Sequence, residues 1–285
     1  MNQKLSPTIL KRNNYQLDWG SKTYIMGILN VTPDSFSDGG EFNGIESALK
    51  QAQNMVQNGA DIIDIGGQST RPGAVKISLE EELNRVIPII KAIRKKKNIP
   101  ISIDTTEAEV AQAAIEAGAD IINDISGGTY DKNMLATAAQ LDVPIILMHI
   151  KGTPQTMQTL TNYQDLVTEI IAFLRQQIEK AIALKIKPEN IIIDPGIGFA
   201  KDAQQNIQLI QKLTEFQTLN APILIGVSRK SFIGKIIEQS NPKDRVWGTA
   251  AACTAAISGG ADIIRVHDVA PMYDVARVAD AIWRN

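Results

Sequence analysis

The sequence has few of the residues that build disulfides and zinc sites. Its 285 residues include one cysteine, Cys253, and two histidines. A zinc centre made of cysteines and histidines would therefore have too few ligands. The cysteine lies in an alanine-rich helical stretch, and we expect it to be a small core residue.

Long apolar runs are missing too. No run reaches the length of a membrane span, and the first residues lack the apolar segment of a signal peptide. An excess of basic charge is also missing, since 29 Lys and Arg against 31 Asp and Glu give a formal net charge of -2. We therefore expect a cytoplasmic protein without nucleic-acid or membrane partners.

What the sequence does contain, with 44% hydrophobic residues, is a regular alternation of strand-like runs and helical patterns. The runs lie near residues 24–29, 62–65, 101–104, 121–124, 144–148, 191–194, 223–227 and 263–266. Eight strands alternating with helices predict one domain over residues 1–285, a single (β/α)8 TIM barrel. Residues 1–23 are unlike the rest, and we expect a short lead-in there, with a hairpin as the candidate structure. An open doubly wound sheet is disfavoured because no Gly-x-Gly-x-x-Gly follows the first strand.

A partial internal repeat supports the barrel. Three segments share a pattern of Gly, Ala, Asp and two isoleucines before strands two, four and eight: 58–64 (NGADIID), 117–123 (AGADIIN) and 259–265 (GGADIIR). Each ends a helix at glycine and turns at aspartate. Even-numbered strands of such a barrel place their side chains in a common layer. We therefore expect Asp64, Asn123 and Arg265 at one height near the C-terminal rim.

Polar residues cluster where the strands end. These positions are Asn30, Asp64, residues 66–73, Asp104, Asn123, Asp124, Met148, His149 and residues 194–199, 228–231 and 265–268. They include both histidines, and active sites of this architecture lie at the C-terminal ends of the strands. The pattern therefore predicts an active site at that rim. Asp104, just before Thr105, retains a second interpretation as the N-cap of the next helix.

Three cations at the predicted rim each have more than one interpretation. Lys230 follows a strand beside Ser231, which opens a short helix; it could be a Schiff-base lysine, a phosphate ligand or a surface cation. Arg265 and His267 are two residues apart on a strand, so their side chains point to the same side. They indicate an anion-binding pair, with carboxylate-paired rim charges as the alternative.

Fourteen consecutive residues, 27–40 (GILNVTPDSFSDGG), closely resemble the first signature of dihydropteroate synthases. The similarity runs from residue 24 to the C-terminus and includes 66–73 (GGQSTRPG), 194–199 (DPGIGF), 228–231 (SRKS) and 265–268 (RVHD). The resemblance implies a barrel enzyme of folate biosynthesis that transfers an alkyl group other than methyl. Its expected reaction joins 6-hydroxymethyl-7,8-dihydropterin pyrophosphate to p-aminobenzoate, giving 7,8-dihydropteroate and pyrophosphate. A homodimer and a sulfonamide target are implied as well.

The resemblance also assigns residues. It implies that the pterin is bound by Asp104, Asn123, Met148, Asp194, Phe199 and Lys230. Pyrophosphate would be bound by Asn30, Arg71, Arg265 and His267, and p-aminobenzoate by Phe36, Thr70, Pro72, Phe199 and Ser231. The implied catalytic residues are Asp104, Lys230, Arg265 and His267. The implied cofactor is Mg²⁺ on Asn30, where one amide oxygen is enough because magnesium keeps waters and phosphate oxygens as its other ligands.

Some positions depart from the usual family pattern. Gln68 stands where Glu is expected, Ile150 and Lys151 replace Met-Gln, and residues 200–202 read AKD instead of Gly-Lys-Thr. Three rival functions are weighed beside the main one. They are a pterin-binding methyltransferase barrel acting on methyl-tetrahydrofolate, a Schiff-base aldolase using Lys230, and a non-enzymatic pterin or phosphate carrier.

Overall fold

The computed structural model describes residues 9–12, 15–31 and 40–284. The chain opens with an antiparallel pair, β1 (Ile9–Arg12) and β2 (Tyr15–Asp18). The central strands are β3 (Tyr24–Asn30), β4 (Ile62–Gly66), β5 (Ile101–Asp104), β6 (Ile121–Asp124), β7 (Ile145–Met148), β8 (Ile191–Asp194), β9 (Leu224–Ile225) and β10 (Ile263–Val266). The helices are α1 (Gly40–Gln57), α2 (Leu79–Lys96), α3 (Ala108–Glu116), α4 (Met134–Gln140), α5 (Leu166–Ala183), α6 (Ala203–Gln211), α7 (Ser231–Ile236), α8 (Val246–Ser258) and α9 (Val269–Trp283).

The eight central strands are parallel and close into a barrel. Their order around the sheet is β8-β7-β6-β5-β4-β3-β10-β9. The two ends meet because the Ile193 N–H of β8 donates to the Pro222 carbonyl just before β9, at 2.9 Å. A bridge between Ile193 and Ile223 lies at the same place. The (β/α)8 barrel predicted from the sequence is confirmed.

Strand seven is shorter than predicted. The sequence pattern gives residues 223–227, whereas β9 covers only Leu224–Ile225. Its ladder with β10 ends at Ile225, and the chain then turns toward Arg229, which adopts a left-handed φ of 59°. The apolar run at 226–227 therefore belongs to the turn that carries the rim residues, and hydrophobicity alone could not distinguish it from strand.

The predicted hairpin lead-in is confirmed as well. β1 pairs with β2 in antiparallel register, and Leu17 and Trp19 pack into the apolar interior of the barrel beside Tyr24 and Met26. The Trp19 and Tyr24 rings meet edge to face with centroids 5.4 Å apart, a favoured aromatic geometry. The lead-in therefore covers the N-terminal end of the barrel and leaves the opposite rim open for chemistry.

The repeated aspartates form hydrogen bonds between strands at the N-terminal end of the barrel. Each carboxylate accepts a backbone N–H at the start of the strand before its own: Asp61 from Ile25 at 2.9 Å, Asp120 from Ile101 at 2.9 Å and Asp262 from Ile223, just before β9, at 3.0 Å. Each also pairs with a basic residue: Asp61 with Lys22, Asp120 with Arg94 and Asp262 with Arg284. The repeat therefore satisfies strand-end N–H groups that the ladder leaves unpaired.

The main core lies between the barrel strands and the surrounding helices, and it is built largely of isoleucine, leucine, valine and alanine. Cys253 on α8 is fully buried in it, as expected, and burial raises the pKa of its thiol to about 12. Within the described ranges, no helix combines the length and the apolar character needed to cross a bilayer.

Candidate active site

The layer predicted from the repeat exists at the C-terminal rim. Arg265 of β10 donates from Nε to Asp64 of β4 at 2.6 Å. Asn123 of β6 donates from Nδ2 to the same carboxylate, at 3.3 and 3.4 Å. Asp64 is fully buried, so these two donors replace the water that its charge would otherwise need. The expectation that the three side chains share one height is confirmed.

Asp104 of β5 is part of the same cluster. Its Oδ2 accepts from Arg265 Nη2 at 2.6 Å. Burial raises the pKa of Asp104 to about 7, and the positive charge of Arg265 opposes that rise. The N-cap interpretation is wrong, since α3 begins at Ala108 and its N-cap is Glu107. Asp104 therefore belongs to the rim cluster, with its proton controlled by burial and by Arg265.

Arg265 is thus paired with two carboxylates, as its second interpretation, a carboxylate-paired rim charge, predicts. About 20% of its side chain stays exposed. Two residues further along, His267 lies 2.9 Å from Ser228 Oγ through Nδ1, and Ser228 Oγ accepts the His267 backbone N–H at 3.1 Å. Because that oxygen already accepts one hydrogen bond, its own proton can go to Nδ1, which leaves the imidazole proton on Nε2.

The charge on His267 follows from its surroundings. Burial, together with the neighbouring Arg229 and Arg265 cations, lowers the pKa of His267 to about 3. Arg229 is itself paired with Asp268, at 2.9 Å from Nε to Oδ2. His267 is therefore a neutral ring with one N–H to donate, and it adds a donor to the rim without adding charge.

Asp194, at the end of β8, is a second buried carboxylate at the rim. Its Oδ1 accepts the Gly196 N–H at 2.7 Å. Burial raises the pKa of Asp194 to about 6, although the Gly196 hydrogen bond and the Lys230, Lys201 and Arg265 cations each lower it. At neutral pH the carboxylate is therefore mostly ionised and has acceptor capacity left for a ligand.

Lys230 lies over an aromatic ring beside this carboxylate. Its Nζ is 4.3 Å from the centroid of Phe199. Gly198 makes room for it, because a Cβ on that residue would lie 2.9 Å from Lys230 Cδ. Burial and the Arg265 charge lower the pKa of Lys230 to about 8. Phe199 and Met148 in turn belong to a small apolar cluster that includes Ile125, so the site has both a cation and an apolar surface.

The remaining predicted residues lie around these groups. Asn30, at the end of β3, and Thr70 are half-buried, whereas Arg71, Pro72 and Ser231 are exposed. Phe36 lies outside the residues that the structure describes. The structure pairs Arg265 with Asp104, links Asn123 to Arg265 through their shared partner Asp64, and places Lys230 over Phe199. It does not record a direct contact of Thr70, Arg71, Pro72 or Ser231 with them.

Gln68, a departure from the usual pattern, holds the loop that carries Thr70 and Arg71. Its Nε2 donates to the carbonyls of Ser69 at 2.8 Å and Val75 at 3.1 Å. Its Oε1 accepts the Ile77 N–H at 2.8 Å. A glutamate could accept from Ile77 but could not donate to the two carbonyls. The substitution therefore suits the loop conformation in this chain.

Known proteins share this sequence and this fold. Residues 26–267 match the pterin binding enzyme family. The dihydropteroate synthase of Synechocystis is 62% identical over 267 residues, covering 94% of this chain and 92% of its own. The chain belongs to the dihydropteroate synthase family. The dihydropteroate synthase of Clostridium difficile, solved with pteroic acid, superposes with a TM-score of 0.90 at 47% identity, covering 94% of this chain and 99% of its own.

A dihydropteroate synthase from Xanthomonas albilineans, solved with 4-aminobenzoic acid, also has a TM-score of 0.90, at 40% identity and coverages of 97% and 98%. The identification as a dihydropteroate synthase, a transferase of an alkyl group other than methyl, is confirmed. These relatives give no support to the methyltransferase alternative.

Two residues of this synthase site received no role from the sequence. Asp64 was placed in the common layer but not recognised as the partner of Arg265. Ser228 lies in the 228–231 motif, yet its hydrogen bonds with His267 join segments 39 residues apart. Two sequence features point to these roles. Asp64 shares a side-chain layer with Arg265, and Ser228 follows the strand that neighbours the strand of His267.

Proposed function

We propose that the rim cluster condenses 6-hydroxymethyl-7,8-dihydropterin pyrophosphate with p-aminobenzoate. The observation that carries the proposal is the set of buried polar groups around an apolar surface. Asp194 and Asn123 offer acceptors and donors, while Lys230 lies over Phe199. A flat heterocycle with polar edges fits such a site, because its faces need apolar contact and its edges need hydrogen bonds.

The pterin is assigned to this set edge by edge. The Asp194 carboxylate accepts from the 2-amino group and N3–H, which form a flat donor pair. Asn123 both donates and accepts along the N1 edge, and Lys230 donates to O4 and N5. Met148 and Phe199 contact the ring faces. The assignment is supported by the Gly196 N–H, which donates to Asp194 Oδ1 and so fixes the orientation of the carboxylate.

Pyrophosphate is assigned to the cationic side of the rim. Arg265, His267, Arg71 and Asn30 bind it in this proposal. His267 donates from Nε2 as a neutral ring, in keeping with its hydrogen bond to Ser228 Oγ. The part of Arg265 left exposed by its two carboxylate partners donates to the anion. Charge that develops on the leaving group is thus met by donors already fixed in place.

Asn30 fits the proposed magnesium ion by its chemistry. The residue is half-buried at the end of β3, and a magnesium ion that keeps water and phosphate ligands needs only one amide oxygen. Within the described part of the chain, no group of three or more His, Cys, Asp or Glu could hold a metal ion. When bound, the ion stabilises charge on the leaving pyrophosphate.

p-Aminobenzoate is assigned to Phe36, Thr70, Pro72, Phe199 and Ser231. Ser231 begins α7, and its hydroxyl and N–H are suited to the carboxylate. The arylamine nitrogen is neutral at pH 7, so it attacks the pterin methylene carbon without a strong base. The C–O bond to pyrophosphate breaks first, and the positive charge that develops on the methylene carbon spreads over the electron-rich dihydropterin ring. The amine nitrogen then forms the C–N bond, and its proton leaves to solvent. Asp104 and Lys230 keep the pterin in place for that attack.

A direct assay tests this function. The purified chain with Mg²⁺ and both substrates should yield 7,8-dihydropteroate and pyrophosphate in equal amounts. A sulfonamide should compete with p-aminobenzoate, since we propose that the chain is a sulfonamide target. Replacing the ester by 6-hydroxymethyl-7,8-dihydropterin, which has no leaving group, should give no product. Binding of the pterin without turnover would instead support the carrier alternative.

We also propose a cytoplasmic location, in keeping with one free, buried cysteine.

We propose that the chain forms a homodimer through α7, α8 and α9. Most of the exposed large apolar side chains of the described residues lie on these helices or directly after α7: Trp247, Val278, Ile282, Ile236, Trp283 and Ile237. Trp247 is 77% exposed. The three helices contact one another in sequence, so these side chains lie on neighbouring elements. Exposed apolar surface of this kind supports an interface.

Trp247→Asp is therefore expected to convert a dimer to a monomer, because a carboxylate would be desolvated in the interface. Sedimentation velocity measures the change. Leu184→Asp, at the C-cap of α5 and outside the proposed interface, is the control and should stay dimeric. A dimer that survives Trp247→Asp would place the interface elsewhere, and a monomeric native chain would end the proposal.

A further inference from the structure

A buried lysine behind the proposed pterin site has no role in the mechanism so far. Lys201 follows the 194–199 motif and is 3% exposed. Its Nζ donates to the Phe199 carbonyl at 2.8 Å and lies 3.1 Å from His149 Nδ1. Lysine is almost never buried without partners. The two contacts connect the loop after β8 with the residue that follows β7.

The backbone around Lys201 is shaped to admit its ammonium group. Gly196 has a left-handed φ of 75°, and a Cβ there would lie 3.3 Å from Lys201 Nζ and only 2.0 Å from the His149 carbonyl oxygen. The N–H of the same glycine binds the Asp194 carboxylate. The lysine head group, the glycine turn and the Asp194 carboxylate are therefore parts of one compact arrangement.

Electrostatics connect the same groups. Burial lowers the pKa of Lys201 to about 7, and the Asp194 carboxylate opposes that fall, while Lys230 and Lys151 add to it. Burial and Lys201 lower the pKa of His149 to about 2. His149 is therefore neutral and can accept from Lys201 at Nδ1. Lys201 is the charged member of this pair. It acts on Asp194 from the protein interior and not from the proposed ligand side.

We propose that Lys201 is a positioning residue of the pterin site: its ammonium group keeps the Asp194 carboxylate ionised for the pterin and fixes the Phe199 carbonyl against His149. This inference rests on the proposed function, because it takes Asp194 to be the acceptor for the pterin donor pair. Lys201 does not touch the pterin in this scheme. It acts through a carboxylate and a backbone carbonyl that lie next to the ligand.

The sign of the effect follows from the charges around Asp194. The Gly196 N–H and the cations Lys230, Lys201 and Arg265 all favour its ionised form against burial. Removal of Lys201 raises the pKa of Asp194 above its present value of about 6. On acidification, Asp194 of the variant therefore becomes protonated at a higher pH than Asp194 of the native chain, and its ionised acceptor is lost there. Above about pH 8 the difference should vanish, since Lys201 is itself mostly neutral there.

The test measures binding of 6-hydroxymethyl-7,8-dihydropterin by calorimetry between pH 5.5 and 8.5. Lys201→Gln keeps hydrogen-bond donors but removes the charge, and Lys201→Met removes both. Both variants should lose affinity about one pH unit higher than the native chain, which corresponds to about threefold weaker binding at pH 6.5 and about eightfold weaker binding at pH 5.5. Lys151→Met is the matched control: Lys151 is half-buried and bonded to Glu169, and its charge lowers the pKa of Lys201, so its removal favours the Lys201 ammonium and should not raise the pH at which pterin affinity is lost.

The outcomes separate this inference from the proposed function. Equal weakening at every pH, or full recovery in Lys201→Gln, would show that only hydrogen bonding matters and would overturn the electrostatic role. A Lys151→Met profile shifted as much as that of Lys201→Gln would overturn it too. If the native chain binds no pterin, or Asp194→Asn binds it as well as the native chain, the proposed function fails first.

Discussion

Asp194→Asn should weaken binding of 6-hydroxymethyl-7,8-dihydropterin by about 2–4 kcal/mol at pH 7.5. The native carboxylate offers a free acceptor oxygen beside the one that takes the Gly196 N–H. Asparagine replaces one oxygen with a donor, so an N–H would meet the N–H groups of the pterin in a buried site. Calorimetry with the alcohol alone measures the loss without contributions from pyrophosphate or magnesium.

Asp142→Asn is the control for this experiment, because its carboxylate is exposed and pairs with Lys187 at 2.8 Å. It should bind the pterin as the native chain does. Thermal unfolding of Asp194→Asn should be close to native, since the Gly196 hydrogen bond can still be made. Unchanged pterin affinity in a folded Asp194→Asn variant would remove Asp194 from the pterin site.

Arg265→Ala should lower the free energy of unfolding by about 3–5 kcal/mol at pH 8. Arginine separates two buried carboxylates, and its removal leaves Asp64 and Asp104 close together without their shared cation. The pterin alcohol and its pyrophosphate ester should both bind more weakly, because Asp104 and Asn123 belong to the same cluster. Urea unfolding and calorimetry measure the two effects.

The stability loss should depend on pH in a definite direction. The folded pKa of Asp104 is raised from 3.8 to about 7, so its protonated form is favoured in the folded chain. That contribution to stability is present below pH 3.8 and is lost as pH rises through 7. Arg265→Ala should therefore cost less at pH 5, where Asp104 is already protonated, than at pH 8.

Asp104→Asn added to Arg265→Ala should restore part of the stability at pH 8, since it removes one of the two carboxylates. Arg277→Ala is the control, because that guanidinium is exposed and donates to the Tyr273 hydroxyl at 3.0 Å, away from the buried carboxylates. An Arg265→Ala chain as stable as the native one at pH 8 would contradict the assignment of Arg265 as the counter-charge of the cluster.

The sequence predicted the common layer but not the direction of its longest side chain. Alternation along parallel strands is enough to place Asp64, Asn123 and Arg265 together, and the structure confirms that placement. The two-residue spacing of Arg265 and His267, at and just beyond the end of β10, predicts that their side chains lie on one side of the chain. It does not fix rotamers, and the Arg265 guanidinium turns sideways to Asp64 and Asp104. Which partner a long side chain reaches depends on the neighbouring strands.

Lys201 could not be found from periodicity, because it lies in a loop and buried lysines are rare. A weaker signal was present in the two glycines of the 194–199 motif. Both Gly196 and Gly198 lack a Cβ at points where a lysine chain passes, Lys201 in one case and Lys230 in the other. The role of these two glycines can be recognised only once the backbone is known, because the sequence does not determine their φ values of 75° and 83°.

The aspartates at the N-terminal end of the barrel allow the rim to change independently. Asp61, Asp120 and Asp262 tie the starts of neighbouring strands together on the side away from the active site. The stagger between strands, which sets the dimensions of a barrel, is thus secured without the rim loops. Loops such as 66–77, held by Gln68, could then be exchanged between related barrels as separate modules. Grafts that keep residues 61, 120 and 262 should preserve strand alignment while altering the substrate pocket.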